Sequence, residues 1–225
     1  MSLMSRINIY KWTVMVLFFV ILVTSMLFAQ DEPDEILTYY TNRANEVFDG
    51  RNPIVSGVVF SFTVKQYYKI FNDNGSTKII DSVESQCYYS FGRIDSVLTL
   101  TEPKNEFDTL YLDYPNVFSE EYQFNFFPND TGGQELAIGY DSYEYSPEIP
   151  VGLATIDREY YFLKRLYQHY KANIKIERWS KAFRFLEIDG FIFPDSIWEM
   201  KSKSGIFSTE YYRVESGITN IKIQR

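Results

Sequence analysis

The chain has 225 residues, with 22 Lys and Arg against 30 Asp and Glu, a formal net charge of −8. That balance argues against nucleic acid as a partner, because phosphate binding needs a basic face. Aromatic residues make up 18% of the chain, too many for a disordered polymer, and one Cys and one His rule out a disulfide framework, a Cys-based zinc site and any multi-histidine metal site.

The first thirty residues carry Arg6 and Lys11 but no acid. Thr13 to Ala29 are almost wholly apolar. A basic start followed by an apolar run is the pattern of a secretory signal. Residues 1–29 are therefore read as a signal peptide with its cleavage point at Ala29/Gln30, or as a retained membrane anchor, since the run approaches spanning length. In both readings the body is exported, to the periplasm or the outer membrane of a Gram-negative-type bacterium. An uncleaved N-terminus would also give it membrane contact. Residues 30–225 are read as one domain without an internal linker.

Glu35 to Asp49 reads as a helix, with Asp34 as N-cap and Gly50 as stop. Its apolar stripe is predicted to be Ile36, Tyr40, Ala44 and Val47. From Val58 the period changes to two. The even positions Phe60, Phe62, Val64 and Tyr68 face one way and Ser61, Thr63 and Lys65 the other. Asn72 to Gly75 supplies a turn. Further strands are predicted over Ile79–Phe91, Ile94–Leu100, Thr109–Asp113, Glu121–Phe126, Glu135–Tyr140, Leu153–Asp157, Phe162–Tyr170, Ile174–Trp179, Phe183–Asp189, Phe193–Lys201, Phe207–Glu215 and Thr219–Ile223. Pro128 to Gly133 reads as a loop. The fold class is mainly β, an antiparallel meander or open barrel of about 10–11 strands. A tetrapeptide recurs as Ile80-Asp81-Ser82-Val83, Ile94-Asp95-Ser96-Val97 and Pro194-Asp195-Ser196-Ile197. Its unequal spacing speaks for strand-entry chemistry and against a repeat array.

Motifs for catalysis are missing. There is no Gly-x-Ser-x-Gly elbow, no His-Glu-x-x-His and no phosphate-cradling glycine loop, and no cofactor or metal is implied. His169 alternates with Leu163, Arg165 and Tyr167 and reads as an ordinary strand residue. Cys87 has no basic neighbour in sequence and reads as a small buried apolar residue. A secreted hydrolase would need two carboxylates facing each other across a cleft, which nothing in the sequence places.

Tyr-Tyr pairs stand at 39–40, 67–68, 88–89, 160–161 and 211–212. On a strand, one ring of each pair faces in and the other out. Gly152-Leu153-Ala154-Thr155-Ile156-Asp157 followed by Phe162-Leu163-Lys164-Arg165-Leu166, and Ile188-Asp189-Gly190-Phe191-Ile192-Phe193-Pro194 followed by Trp198-Glu199-Met200, are the most specific segments. Together with the order of one helix and then long strands, they resemble the lipoprotein-carrier superfamily of the bacterial envelope (LolA/LolB-like, outer membrane lipoprotein-sorting type). Residues 103–118 and 128–150 depart from it, since they do not read as its lid helices.

The resemblance implies a half-barrel with the helix on or in an apolar concave face that holds acyl chains. Carried onto this sequence, the ligand-binding residues would be Phe60, Phe62, Val64 and Tyr68, joined by Phe91, Phe124, Phe126, Ile138, Trp198 and Tyr211. The function implied is non-catalytic binding of an apolar ligand, lipid or lipoprotein acyl chains. The alternative is a structural or protein-interaction protein of the envelope, with envelope proteins as partners and a filled interior. A sugar-binding module, marked by an exposed planar aromatic strip, is a form of that alternative.

Overall fold

The computed structural model describes residues 35–71, 76–104, 112, 114–115, 117–126, 133–143, 146, 149–170, 179–204 and 209–224. The N-terminal apolar run, Asp34, the 72–75 turn, most of the 109–113 strand, nearly all of the 128–133 loop and residues 174–178 lie outside them.

Helix α1 spans Glu35–Gly50. Its buried positions are Leu37, Thr41, Ala44 and Phe48, one residue round from most of the predicted stripe; Ile36 is 61% exposed. Spacings of four, three and four keep those residues on one helical face. Phe48 packs edge-on against Phe185 at 6.4 Å, and Tyr40 lies 5.8 Å from Tyr161. After the helix, Asn52 accepts the Ile54 amide at 2.9 Å through its side-chain oxygen and turns the chain into the first strand.

Ten strands follow: β1 Val59–Phe71, β2 Thr77–Ser90, β3 Arg93–Thr101, β4 Tyr122–Phe126, β5 Glu135–Ser142, β6 Val151–Asp157, β7 Leu163–Tyr170, β8 Trp179–Ile188, β9 Phe191–Ser204 and β10 Thr209–Gln224. They form one antiparallel sheet in the order β3-β2-β1-β10-β9-β8-β7-β6-β5-β4. The sheet is open, with β3 and β4 as its edges. The predicted strands 207–215 and 219–223 are one element. Gly217 runs straight through, paired with Lys65 and Ser196.

Register breaks explain where simple alternation fails. All three copies of the Asp-Ser tetrapeptide sit at β-bulges. The unmatched residues are Ile80 beside Asp81, Asp95, and Asp195. A bulge leaves backbone and side chain to find new partners. Asp81 accepts the amides of Ser82 and Lys104, Asp95 accepts the Ser90 hydroxyl, and Asp195 takes the Arg184 guanidinium. The motif therefore marks kinks inside strands, and not strand entry. Lys164 is a fourth unmatched residue. It puts buried Leu163 on the opposite face from Arg165, Tyr167 and His169, which corrects the expected four-residue stripe. Further irregularities lie at Leu100, unmatched on β3, and between Thr219 and Lys222, where Asn220 has φ 53°.

Strands β9 and β10 pair only from Ser196–Ser204 against Thr209–Gly217. Beyond that point β10 continues with β1, and β9 with β8. The freed edge of β9 is covered from elsewhere, since the Ile192 amide donates to the Arg51 carbonyl at 2.9 Å. Arg51 also pairs with Glu187 at 2.8 Å. Adjacent Ile192 and Phe193 are both fully buried, so both faces of the strand are covered there.

Candidate functional site

The inner face of the sheet is the one that carries Phe60, Phe62 and Val64. Register extends it through Tyr89, Cys87, Ser85 and Val83 on β2 and through Ile218, Ser216, Val214 and Tyr212 on β10. It continues through Ile197, Phe183, Leu166, Ala154 and Ile138 to Phe126 at the far edge. A face that is apolar across a whole antiparallel sheet must be covered.

One end of that face is sealed by its own rings. Phe60 stacks on Tyr89 at 4.9 Å and meets Phe193 edge-on at 5.2 Å, and Phe62 lies 5.8 Å from Tyr89. Phe183 stacks on Phe185 at 5.8 Å beneath the helix. The Tyr89 hydroxyl is satisfied by the Leu112 amide at 3.0 Å. Cys87 is fully buried among these groups, and burial pushes its thiol up to about 11.

The other end is lined differently. Tyr68 stacks on Tyr212 at 5.3 Å, and both are only half-buried, as are Ile70 and Val214. At the β4 side Phe124 and Phe126 are also half-buried, with Phe118 stacked on Phe124 at 6.3 Å. Between them runs a row of polar groups, Gln168, Lys181 and Glu199, opposite one another on β7, β8 and β9. Gln168 is 1% exposed, and its amide oxygen has no hydrogen-bond partner among the described residues. Gly152 leaves room for the Tyr140 phenol, which donates to the Tyr167 carbonyl at 2.9 Å. Burial, followed by the neighbouring Tyr122, pushes that phenol far above the ordinary tyrosine range. The inner face can thus offer an apolar floor and a few amide, ammonium and carboxylate groups. Among the described residues no cluster of three or more His, Cys, Asp and Glu side chains is placed to hold a metal.

Of the ten residues singled out from the sequence, seven share this inner face. Phe60, Phe62, Val64 and Ile138 are fully buried in the sealed core, while Tyr68, Phe124 and Phe126 belong to the half-covered end. The other three stand apart. Trp198 is opposite Glu215 and Tyr211 opposite Ser202, both on the outer face, because the inner positions of those strands are Ile197 and Tyr212. Phe91 occupies the β2–β3 turn with φ 48° and is 79% exposed. Sequence reasoning missed Tyr89, Phe183 and Phe185. The alternation Val83, Ser85, Cys87, Tyr89 could have revealed the first, and Phe-Arg-Phe at 183–185 the other two.

Several solved structures are similar to this chain. A LolA superfamily protein from Nitrosomonas europaea is 10% identical, covering 84% of this chain and 94% of its own, with a TM-score of 0.35. A putative outer membrane lipoprotein-sorting protein domain from Vibrio parahaemolyticus is 11% identical over 84% and 93%, with a TM-score of 0.43. A DUF1329 family protein from Desulfovibrio piger is 9% identical over 84% and 93%, with a TM-score of 0.41. No family model and no curated protein matches the sequence.

Proposed function

We propose that the chain is a non-catalytic binding protein of the bacterial envelope, and that its inner face takes an apolar ligand, a lipid or the acyl chains of a lipoprotein. The uneven sealing of that face supports this reading. At the Phe60 end the protein's own rings fill the interior. At the other end Tyr68, Ile70, Tyr212, Val214, Phe124 and Phe126 face inward but keep part of their surface uncovered. Covering such surface is worth about 25 cal/mol per Å² before ordering costs. The row of Gln168, Lys181 and Glu199 would receive the polar end of an amphiphile.

Export is part of the proposal and rests on the apolar run Thr13 to Ala29. Among the described residues no helix is long and apolar enough to cross a membrane. A second reading, an interaction protein with a filled interior, is favoured by the complete burial of Phe60, Phe62, Val64 and Ile138. In that reading the partner is another envelope protein.

The test is native mass spectrometry of the full chain purified from an envelope extract, followed by solvent extraction and lipid analysis. A stoichiometric acyl-containing species is expected. Tyr68→Asp and Phe124→Asp are expected to reduce the acyl load while the protein stays folded by circular dichroism. A clean apo mass with no uptake of added lipid would overturn acyl binding in favour of the filled interior.

A further inference from the structure

The outer face of an antiparallel sheet is ordinarily polar. On β6 to β9 one row of it is not, between a row of Thr155, Arg165, Arg184 and Ser196 and a row of Val151, His169, Ser180 and Met200. Register places Leu153, Tyr167, Ala182 and Trp198 in one row across four strands, with Met200 on the neighbouring row. Tyr167 is 46% exposed and Met200 42%, and Trp198 is half-buried. The Tyr167 and Trp198 rings do not pack on each other. Ala182 lies between their strands and leaves a shallow floor, and the backbone positions that carry the two rings are about 9.6 Å apart by strand spacing.

Both flanks of the row carry side chains that form hydrogen bonds and are already charge-paired. On one flank Glu215 is held by Lys69 and Arg213. On the other, Arg184 grips Asp195 through Nε at 2.9 Å to each carboxylate oxygen, and Arg165 opposite it lies 3.6 Å from the Glu135 carboxylate. The strip therefore has polar groups within reach but no uncompensated charge to attract a polyanion. Its footprint, four strands by two rows, is roughly 200 Å² from strand geometry. A stable protein interface needs about 800 Å² per partner. A narrow, uncharged, linear ligand fits this area, and a folded partner does not.

We propose that the outer row Tyr167–Ala182–Trp198, flanked by Leu153 and Met200, binds an extended, uncharged, β-linked glycan whose sugar rings stack on Tyr167 and Trp198. The ring faces carry the negative end of the aromatic quadrupole and meet the C–H faces of pyranoses. The two-strand spacing of Tyr167 and Trp198 suits every second sugar of an extended chain. Hydroxyls at the edges reach the Arg184–Asp195 and Arg213–Glu215 pairs. This site lies on the opposite face from the apolar inner surface and does not depend on what that surface binds.

The experiment is isothermal titration of the full chain with soluble β-1,4-linked hexasaccharides of glucose and of N-acetylglucosamine, alongside sedimentation analysis. Saturable binding of at least one hexasaccharide is expected, weakened about tenfold or more by Trp198→Ala and by Tyr167→Ala. Trp198→Phe is expected to retain most of the affinity, and Tyr143→Ala, at an exposed ring elsewhere, to leave it within twofold. Circular dichroism confirms that each variant is folded. Absence of heat at millimolar sugar, or equal binding by the Ala variants, overturns the proposal. Self-association that is lost in Trp198→Ala or Tyr167→Ala would assign the strip to a protein contact and overturn it as well.

Discussion

The hydroxyl of Tyr140 on β5 donates to the backbone carbonyl of Tyr167 on β7, 2.9 Å away, across β6, where the intervening residue is Gly152. A Cβ at position 152 would lie 1.9 Å from that carbonyl oxygen and 2.8 Å from the phenol. Gly152→Ala is therefore expected to destabilise the protein by at least about 2 kcal/mol, because backbone must move. Tyr140→Phe loses only the hydrogen bond, about 1 kcal/mol. Urea unfolding of the two variants checks the order; a Gly152→Ala midpoint equal to wild type would contradict the clash.

Two hairpins use the same two-residue turn. Asp189-Gly190 and Phe91-Gly92 both have positive φ at each position, 52° and 85° in the first and 48° and 77° in the second. This turn favours Asn or Asp before Gly, and a Phe there is strained. Phe91→Asn is expected to raise stability by about 1 kcal/mol, read as a higher melting temperature. A lower melting temperature would mean that the exposed ring makes contacts that stabilise the fold.

Burial pushes the Glu215 carboxyl up, but hydrogen bonding from Lys69 and the charge of Arg213 outweigh it and hold the group below its ordinary 4.5. Asp157 behaves alike. Burial raises it, and the Tyr160 and Glu159 amides with the Lys164 ammonium bring it below 3.8. A carboxyl with a depressed folded pKa stabilises fully above its unfolded value and loses that contribution as pH falls through the folded one. Stability is expected to decline on acidification below pH about 4.5. Glu215→Gln should be less stable than wild type at neutral pH and show a shallower acid decline. A parallel decline in the variant would remove Glu215 from the account.

Cys87 is buried, with its thiol raised to about 11, so little thiolate forms at neutral pH and none of it is accessible. A water-soluble disulfide reagent at pH 8 is expected to leave the native protein unlabelled and to react fully in denaturant. Rapid labelling of the native protein would mean that the β1–β2 region opens readily.

Much of the architecture was legible in advance, and the errors share a cause. The helix bounds and the long strands β1, β2 and β3 follow from period and turn residues. What alternation could not supply was the parity of each strand after an unmatched residue. Lys164 flips Leu163 away from Arg165, and the pairing of Ser196 with Gly217 sets Trp198 facing outward. In the candidate site, Phe60, Phe62 and Val64 could be read because β1 keeps its own alternation from Phe60 to Ile70. Trp198 and Tyr211 could not, because their facing depends on partners distant in sequence. The expected break between Glu215 and Thr219 is absent, since burial of Ser216 and Ile218 on both sides of Gly217 overrides local propensity.

The pairing of β1 with β10 has a consequence for how the chain folds. These two strands join the halves of the sheet, yet Val59 and Gln224, at opposite ends of the described strand sequence, sit directly opposite each other. Every contact in that ladder closes a loop of well over a hundred residues, the kind of non-local pairing that makes folding slow. The β1–β3 meander and the β4–β9 meander can each zip locally, but β10 is synthesised after both. Until it arrives, β1 has an unpaired edge, and the protein's interval of greatest exposure to aggregation is the time between completing β3 and docking β10.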